Sequence, residues 1–188
     1  PQPGQSWWDV CAGAGGKTLH LADLLQGRGR LLATDIREDA LRELERRAAT
    51  RGTRHLELRL LRPDADPPGA PFDGILLDAP CSGLGTWGRN PDARWRTTPE
   101  TVQRAAATQT TLLQRATRYL KPGGRLVYAT CSITRTEGAE VFHHALASLP
   151  LQPLPVQLPL HNTPASEHTL WPDTSSGIGM YIACAKLL

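Results

Sequence analysis

Short apolar runs alternate along this chain with stretches whose apolar positions recur every three or four residues, the patterns of buried strands and amphipathic helices. Strands are predicted at 6–12 (SWWDVCA), 30–36 (RLLATDI), 55–61 (HLELRLL), 72–79 (FDGILLDA), 125–130 (RLVYAT) and 179–188 (GMYIACAKLL). Helices are predicted at 16–26, 37–51, 99–120 and 134–149. The second is the clearest, because positions 40, 41, 44 and 48 are apolar while most of the remainder is charged. The sequence KPGG at 121–124 breaks the third helix before the next strand, and four prolines fix the loop at 62–71. The proline-rich stretch 150–172 shows no assignable period. Strands that alternate with helices need parallel neighbours joined by crossovers, so the expected fold is α/β: a mostly parallel sheet layered with helices on both faces.

Composition narrows the picture further. The 188 residues, 40% of them hydrophobic, suffice for one compact domain. No run approaches the roughly 18 apolar residues of a membrane span, and the opening PQPGQSWW lacks the regions of a signal peptide. A cytoplasmic protein with no membrane partner is the expectation. The chain opens directly before a strand, which reads as a piece of something longer. Cysteines at 11, 81, 131 and 184 have no CxxC spacing, so free thiols are expected rather than a metal site or a disulfide framework. A net charge of +3, carried mainly by arginine, permits an anionic partner.

In open α/β sheets ligands bind beyond the carboxyl ends of the strands, so the residues there carry most of the functional information. After the first strand, Cys11, Ala12, Gly13, Ala14, Gly15, Gly16 and Lys17 form a turn of small residues leading into a helix N-terminus, where backbone can approach a ligand closely. Asp35 closes the second strand, where a carboxylate can accept from both hydroxyls of a ribose. Together they point to an adenosine-containing cofactor, although a tight turn with a helix cap would read the same way. No phosphate-cradling GxxxxGK[ST] is present.

Two further strand ends carry thiols, in DAPCSGLG (78–85) and YATCSI (128–133). With DVCAGAGGKT (9–18), these motifs resemble the S-adenosylmethionine-dependent RNA cytosine-5 methyltransferases of the Sun/Rsm/Nop type, over about residues 4 to 145. Gly13 and Ala14 stand where that family usually has alanine and proline, and TEGAEVF (136–142) replaces its Glu-Glu-Asn. The resemblance implies a class I methyltransferase fold with an antiparallel C-terminal strand, S-adenosylmethionine as cofactor, and RNA as partner, ribosomal first and transfer RNA second. It also implies that the chain is the catalytic domain without the family's N-terminal RNA-binding part, acting as a monomer. Cys131 maps to the nucleophile that adds to carbon 6 of cytosine, and Cys81 to the cysteine that assists release. Asp78, at its strand end, is expected to hydrogen-bond the target ring and to be among the cofactor-binding residues; Lys17 is implied near cofactor and base, and Asp64, with Asp66 as a rival, at the adenine amino group.

The chemistry needs such groups. Carbon 5 of cytosine becomes nucleophilic only after addition at carbon 6, a thiolate suits that step, and a second group can then help to expel the sulfur. Cys11 is expected to bring backbone near the cofactor, and Cys184 to be a buried small hydrophobe. Arg89, Arg94, Trp95 and Arg96, in the arginine- and tryptophan-rich loop 85–96, suit phosphates and unstacked bases. Two rivals remain: a DNA cytosine-5 methyltransferase that attacks through Cys81, and a catalytically silent cofactor-binding module in ribosome assembly.

Overall fold

The computed structural model describes residues 1–62, 65–158, 163–175 and 177–188. Its elements are β1 (Ser6–Asp9), α1 (Gly16–Leu25), β2 (Arg30–Asp35), α2 (Glu38–Thr50), β3 (Leu56–Leu60), β4 (Phe72–Asp78), α3 (Ala93–Arg96), α4 (Pro99–Thr117), β5 (Leu120–Thr130), α5 (Ala139–Ser148), β6 (Leu151–Pro153), β7 (Glu167–Leu170), α6 (Pro172–Ser175) and β8 (Met180–Leu187). The strands form one sheet in the order β3-β2-β1-β4-β5-β8-β6, with β7 also paired to β8. β1 to β5 are mutually parallel, whereas β8 runs antiparallel to β5. The expected α/β fold is therefore present, with its antiparallel C-terminal strand.

Adjacent tryptophans show how the sheet is buried on both sides, since successive residues of a strand face opposite ways. Trp7 packs with Leu21 and Leu25 of α1, while Trp8 belongs to the larger cluster with Phe72, Leu113 and Phe142 beneath α4 and α5. The Trp8 indole Nε1 donates to Thr34 Oγ1 at 2.9 Å, so its one polar atom is satisfied inside the core. Helix α2 lays Leu41, Leu44 and Ala48 against the sheet. Helix α4 starts at a reciprocal cap, in which Thr98 Oγ1 accepts from the Thr101 N–H and Thr101 Oγ1 accepts from the Thr98 N–H.

Several boundaries differ from the sequence expectation. KPGG does not separate helix from strand: α4 ends at Thr117, and β5 already pairs at Leu120 with Phe72 and resumes at Arg125 with Gly74, so the tetrapeptide is a bulge inside the strand. α5 begins at Ala139 rather than 134, because the segment before it turns inward around Glu137. The unassigned stretch 150–172 contributes β6 and β7, strands of three and four residues. Such short segments carry too little period to be read and exist here because β8 offers them an edge. The expected loop 85–96 contains a 3₁₀ turn (Leu84–Thr86) and the single turn α3.

Chain order reverses between β1 and β4, which are neighbours although β2 and β3 intervene in sequence. That is the switch point at which a ligand crevice opens beyond the strand ends.

Candidate active site

A cavity of about 990 Å³ opens at that switch point, at the upper end of the ~300–1,000 Å³ usual for small-molecule sites. Its floor is the turn between β1 and α1. Cys11, Ala12, Gly13, Ala14, Gly16 and Lys17 line it, and Gly15 does not. Gly15 faces the other way: φ is +84°, and a Cβ there would lie 2.0 Å from Leu44 Cδ1, so glycine is required to seat the turn on α2. The Arg47 guanidinium clamps the same turn from outside by donating to the Ala14 carbonyl at 2.6 Å.

Asp35 stands at the carboxyl end of β2 with its side chain 4% exposed. One oxygen accepts from the Gly13 N–H at 2.8 Å, and the other accepts the Arg37 N–H at 2.9 Å and its Nε at 3.0 Å. Burial pushes this carboxyl up, but the Arg37 and Gly13 hydrogen bonds outweigh it and hold the group below the usual range. The Arg37 guanidinium thus stands where ribose hydroxyls were expected, though its side chain is 62% exposed and can leave. Ile36, 68% exposed, offers an apolar wall beside it.

Asp9 was not singled out in the sequence although it opens DVCAGAGGKT. It is 1% exposed and lines the cavity; Oδ2 accepts from Thr18 Oγ1 at 2.7 Å, while Oδ1 has no hydrogen-bond partner. Burial raises its pKa to about 7; the Thr18 hydrogen bond opposes that, Asp78 adds to it, Lys17 opposes it and Asp35 adds to it. A buried acceptor left open in the wall of a cavity is a place for a ligand's donor. Burial, together with Asp9, Asp35 and Asp78, pushes the Cys11 thiol up to about 12, against thiolate formation there.

On the far wall, Lys17 Nζ lies 2.6 Å from Asp78 Oδ2, with both side chains partly exposed. The structure thus brings together two residues expected near the target base. Cys81 and Cys131, ending β4 and β5, have their sulfurs 3.0 Å apart. Cys81 lines the cavity and Cys131 does not. Either sulfur can be the donor of this contact; the hydrogen bond with Cys81 lowers the Cys131 pKa, against burial and Asp78 and with help from Lys17. The same hydrogen bond, with burial, raises that of Cys81. Thiols this close titrate as a pair, and a proton kept on one sulfur can stabilise a thiolate on the other. Cys184 is buried in β8, as expected.

Three expectations fare differently. Asp64 lies outside the described residues, and its rival Asp66 does not line the cavity but accepts a hydrogen bond from the Tyr119 hydroxyl. Arg89, Arg94, Trp95 and Arg96 are all exposed and stand outside the cavity wall. Arg94 stacks on Trp95 at 4.8 Å, and Arg96 pairs with Asp92 at 2.5 Å. Among the described residues no helix is long and apolar enough to cross a membrane, and no group of His, Cys, Asp and Glu is placed to hold a metal.

A doubly wound sheet closed by an antiparallel strand, with a glycine turn and an acidic strand end at its crevice, defines the Rossmann-like methyltransferase class. Comparison with known proteins agrees. Residues 1–187 match the family model described as 16S rRNA methyltransferase RsmB/F. The chain is 41% identical over 140 residues to a probable ribosomal RNA small subunit methyltransferase B of Synechocystis sp., covering 73% of this chain and 31% of that protein. It is 37% identical to the mouse tRNA (cytosine(72)-C(5))-methyltransferase NSUN6, covering 85% and 36%. The structure of NSun6 from Pyrococcus horikoshii with SFG superposes with a TM-score of 0.85 at 26% identity, covering 99% of this chain and 48% of that one. The chain belongs to the RsmB/F methyltransferase family, which uses S-adenosylmethionine. It spans about a third of the length of the curated relatives it matches.

Proposed function

We propose that this chain is the catalytic part of a cytoplasmic enzyme that transfers a methyl group from S-adenosylmethionine to carbon 5 of a cytidine in RNA, ribosomal RNA before transfer RNA. The observation that carries the reading is the pair of thiols 3.0 Å apart, set beside the Lys17–Asp78 pair and the glycine turn.

The cavity residues fit the cofactor. Asp35 takes the ribose hydroxyls once the exposed Arg37 guanidinium moves aside, Gly13 and Gly16 allow close backbone approach, and the open Oδ1 of Asp9 accepts from a donor such as the ammonium group. When bound, the cofactor supplies an electrophilic methyl group on a sulfonium. This chain's residues do the rest. Cys131, as the thiolate, adds its sulfur to carbon 6 of the ring and turns carbon 5 into an enamine-like nucleophile. Asp78, held by Lys17, hydrogen-bonds the ring edge where charge develops. Once carbon 5 carries the methyl group its proton passes to a base, the C–H electron pair re-forms the carbon 5–carbon 6 double bond, the sulfur leaves as the Cys131 thiolate, and Cys81 assists that elimination from beside it. The target base must leave its stack to reach this depth, as it must for any enzyme acting on a base.

One observation favours a second reading: Cys81, and not Cys131, lines the cavity. In a DNA-type mechanism Cys81 would be the nucleophile. Replacement of each cysteine decides between them. Cys131→Ala is expected to abolish methyl transfer and to form no covalent RNA complex, whereas Cys81→Ala should accumulate a methyl-labelled complex that survives denaturing electrophoresis. The reverse outcome would assign the attack to Cys81, and loss of neither activity nor complex on either replacement would sink both readings.

A further inference from the structure

The two thiols end different strands, so something must hold those ends at one separation. Backbone pairing between β4 and β5 stops at Asp78 and Ala129, before either cysteine. Beyond it the Gly85 N–H donates to the Cys131 carbonyl at 3.0 Å, and one buried carboxylate side chain ties the residues that follow the two thiols. Glu137 is fully buried and belongs to the turn before α5. Its Oε1 accepts from the Ser82 N–H at 2.7 Å and from Gln109 Nε2 at 3.2 Å. Its Oε2 accepts from the Ser132 hydroxyl at 2.8 Å and from the Ser82 hydroxyl. Ser82 follows Cys81 and Ser132 follows Cys131, so one carboxylate grips the residue after each thiol.

The clamp is itself held. Gln109 of α4 also donates to the Pro80 carbonyl at 2.9 Å, on the other side of Cys81. The Tyr128 hydroxyl donates to the Glu137 carbonyl at 2.6 Å and lies 3.1 Å from Gln109 Oε1. A buried carboxylate is costly unless both oxygens are hydrogen-bonded, and a network that meets every acceptor has little freedom to shift. A purely packing role would call for an apolar side chain at this position and would not need donors from two catalytic loops.

We propose that Glu137 is a positioning residue, a bracket whose length fixes the separation of the Cys81 and Cys131 sulfurs and so couples release to addition. The inference rests on the two-thiol reading of the site, but its first test needs no RNA. In a Cys11→Ser/Cys184→Ser background, the protein is equilibrated with oxidised and reduced dithiothreitol. The Cys81 and Cys131 thiols together give two protons and two electrons to the cyclic reagent, which opens to its dithiol as they close to a disulfide. The ratio at equilibrium reads how well the two sulfurs are held together.

Glu137→Ala is expected to lower that equilibrium constant by about tenfold, the effect of losing a network of hydrogen bonds. Glu137→Gln should stay within about twofold of its parent, because its amide oxygen still accepts from the Ser82 and Gln109 N–H groups while its NH₂ donates to the two hydroxyls. With RNA and cofactor, Glu137→Ala should also raise the trapped fraction of covalent complex relative to released product. A thiol equilibrium unchanged in Glu137→Ala overturns the proposal, and an equal fall in Glu137→Gln replaces a bracket with an effect of charge. If Glu137→Ala does not fold, the Ser82→Ala/Ser132→Ala double variant is measured in the same way, and an unchanged equilibrium there overturns the proposal too. Absence of methyl transfer in the wild type together with absence of any covalent complex in Cys81→Ala would defeat the functional reading and leave the thiol measurement to judge the bracket alone.

Discussion

The two halves of the crevice are built by different means. At the ends of β1 and β2 the site is mostly backbone: a glycine turn pinned under α2, with Asp35 tying the Gly13 N–H to the strand end. At the ends of β4 and β5 it is side chain on side chain, with Ser82, Gln109 and Ser132 converging on Glu137 from three separate segments. Each half buries a carboxylate, and the two are left in opposite conditions. Glu137 has donors on both oxygens, whereas Asp9 has one oxygen met and the other open in the cavity wall. Buried polar groups that are fully met define shape, and those left open await a partner. The cofactor half is thus built to receive and the thiol half to hold still.

The largest effect that tests this contrast is a dependence of stability on pH. The Asp9 carboxyl is raised from 3.8 to about 7 in the folded protein, so the native state binds its proton more tightly than the unfolded chain does. Stability from this group is fully present below about pH 4, falls as pH rises between about 4 and 7, and is level above. Three units at 1.36 kcal/mol each set a ceiling of about 4 kcal/mol. Urea denaturation at pH 5 and pH 8 should show this fall in wild type and a much smaller one in Asp9→Asn. Equal slopes in the two proteins would mean that the open oxygen is hydrated and that the cofactor half carries no unmet group.

A smaller effect is expected at Asp35. Calorimetric titration with S-adenosylhomocysteine should show Asp35→Ala weakened by about 1–3 kcal/mol, the range for a lost hydrogen bond to a charged group. Arg37→Ala separates two roles for the guanidinium that now occupies the carboxylate. Affinity should rise if Arg37 only competes with the ribose, and fall if it rotates to hold the ligand. Unchanged affinity in Asp35→Ala would remove this strand end from the site.

The same contrast explains what could be read from the chain. The turn 11–17 and Asp35 are local devices: small residues before a helix, and an acid at a strand end, each legible within a few positions. Gly15 shows the limit even there, since its glycine serves packing against Leu44 and not the cavity. The thiol half was legible as motifs but not as a mechanism of assembly. Glu137 lies in TEGAEVF, a segment that reads as a departure from the family pattern, and only the fold brings it to Ser82, which is 55 positions away. The short strands β6 and β7 escaped for a related reason, because their partner β8 supplies what their own few residues cannot. KPGG reads as the break between helix and strand because turn chemistry marks an irregularity without saying which element contains it; here β5 has already begun at Leu120.

The smallest expected effect concerns RNA, and it asks whether the contrast extends beyond the crevice to the exposed segment after β4. Arg89, Arg94 and Arg96 are all exposed, and none lines the cavity, so any role for them lies in phosphate contact outside it. Each phosphate contact to single-stranded RNA contributes about 0.7 to the slope of log affinity against log salt. Their surroundings differ. Arg94 lies over the Trp95 ring, while Arg96 is paired with Asp92 four residues earlier and must give up that partner to meet a phosphate. Binding isotherms for a ribosomal RNA fragment over a range of salt should therefore show a shallower slope for Arg94→Ala than for Arg96→Ala, and the shallowest for the triple alanine variant. Cofactor affinity should be the same in all of them, because the residues that line the cavity are untouched. A triple variant with the wild-type slope would make this segment a structural cover over the β4 end, and would place the RNA contacts on another face of the protein.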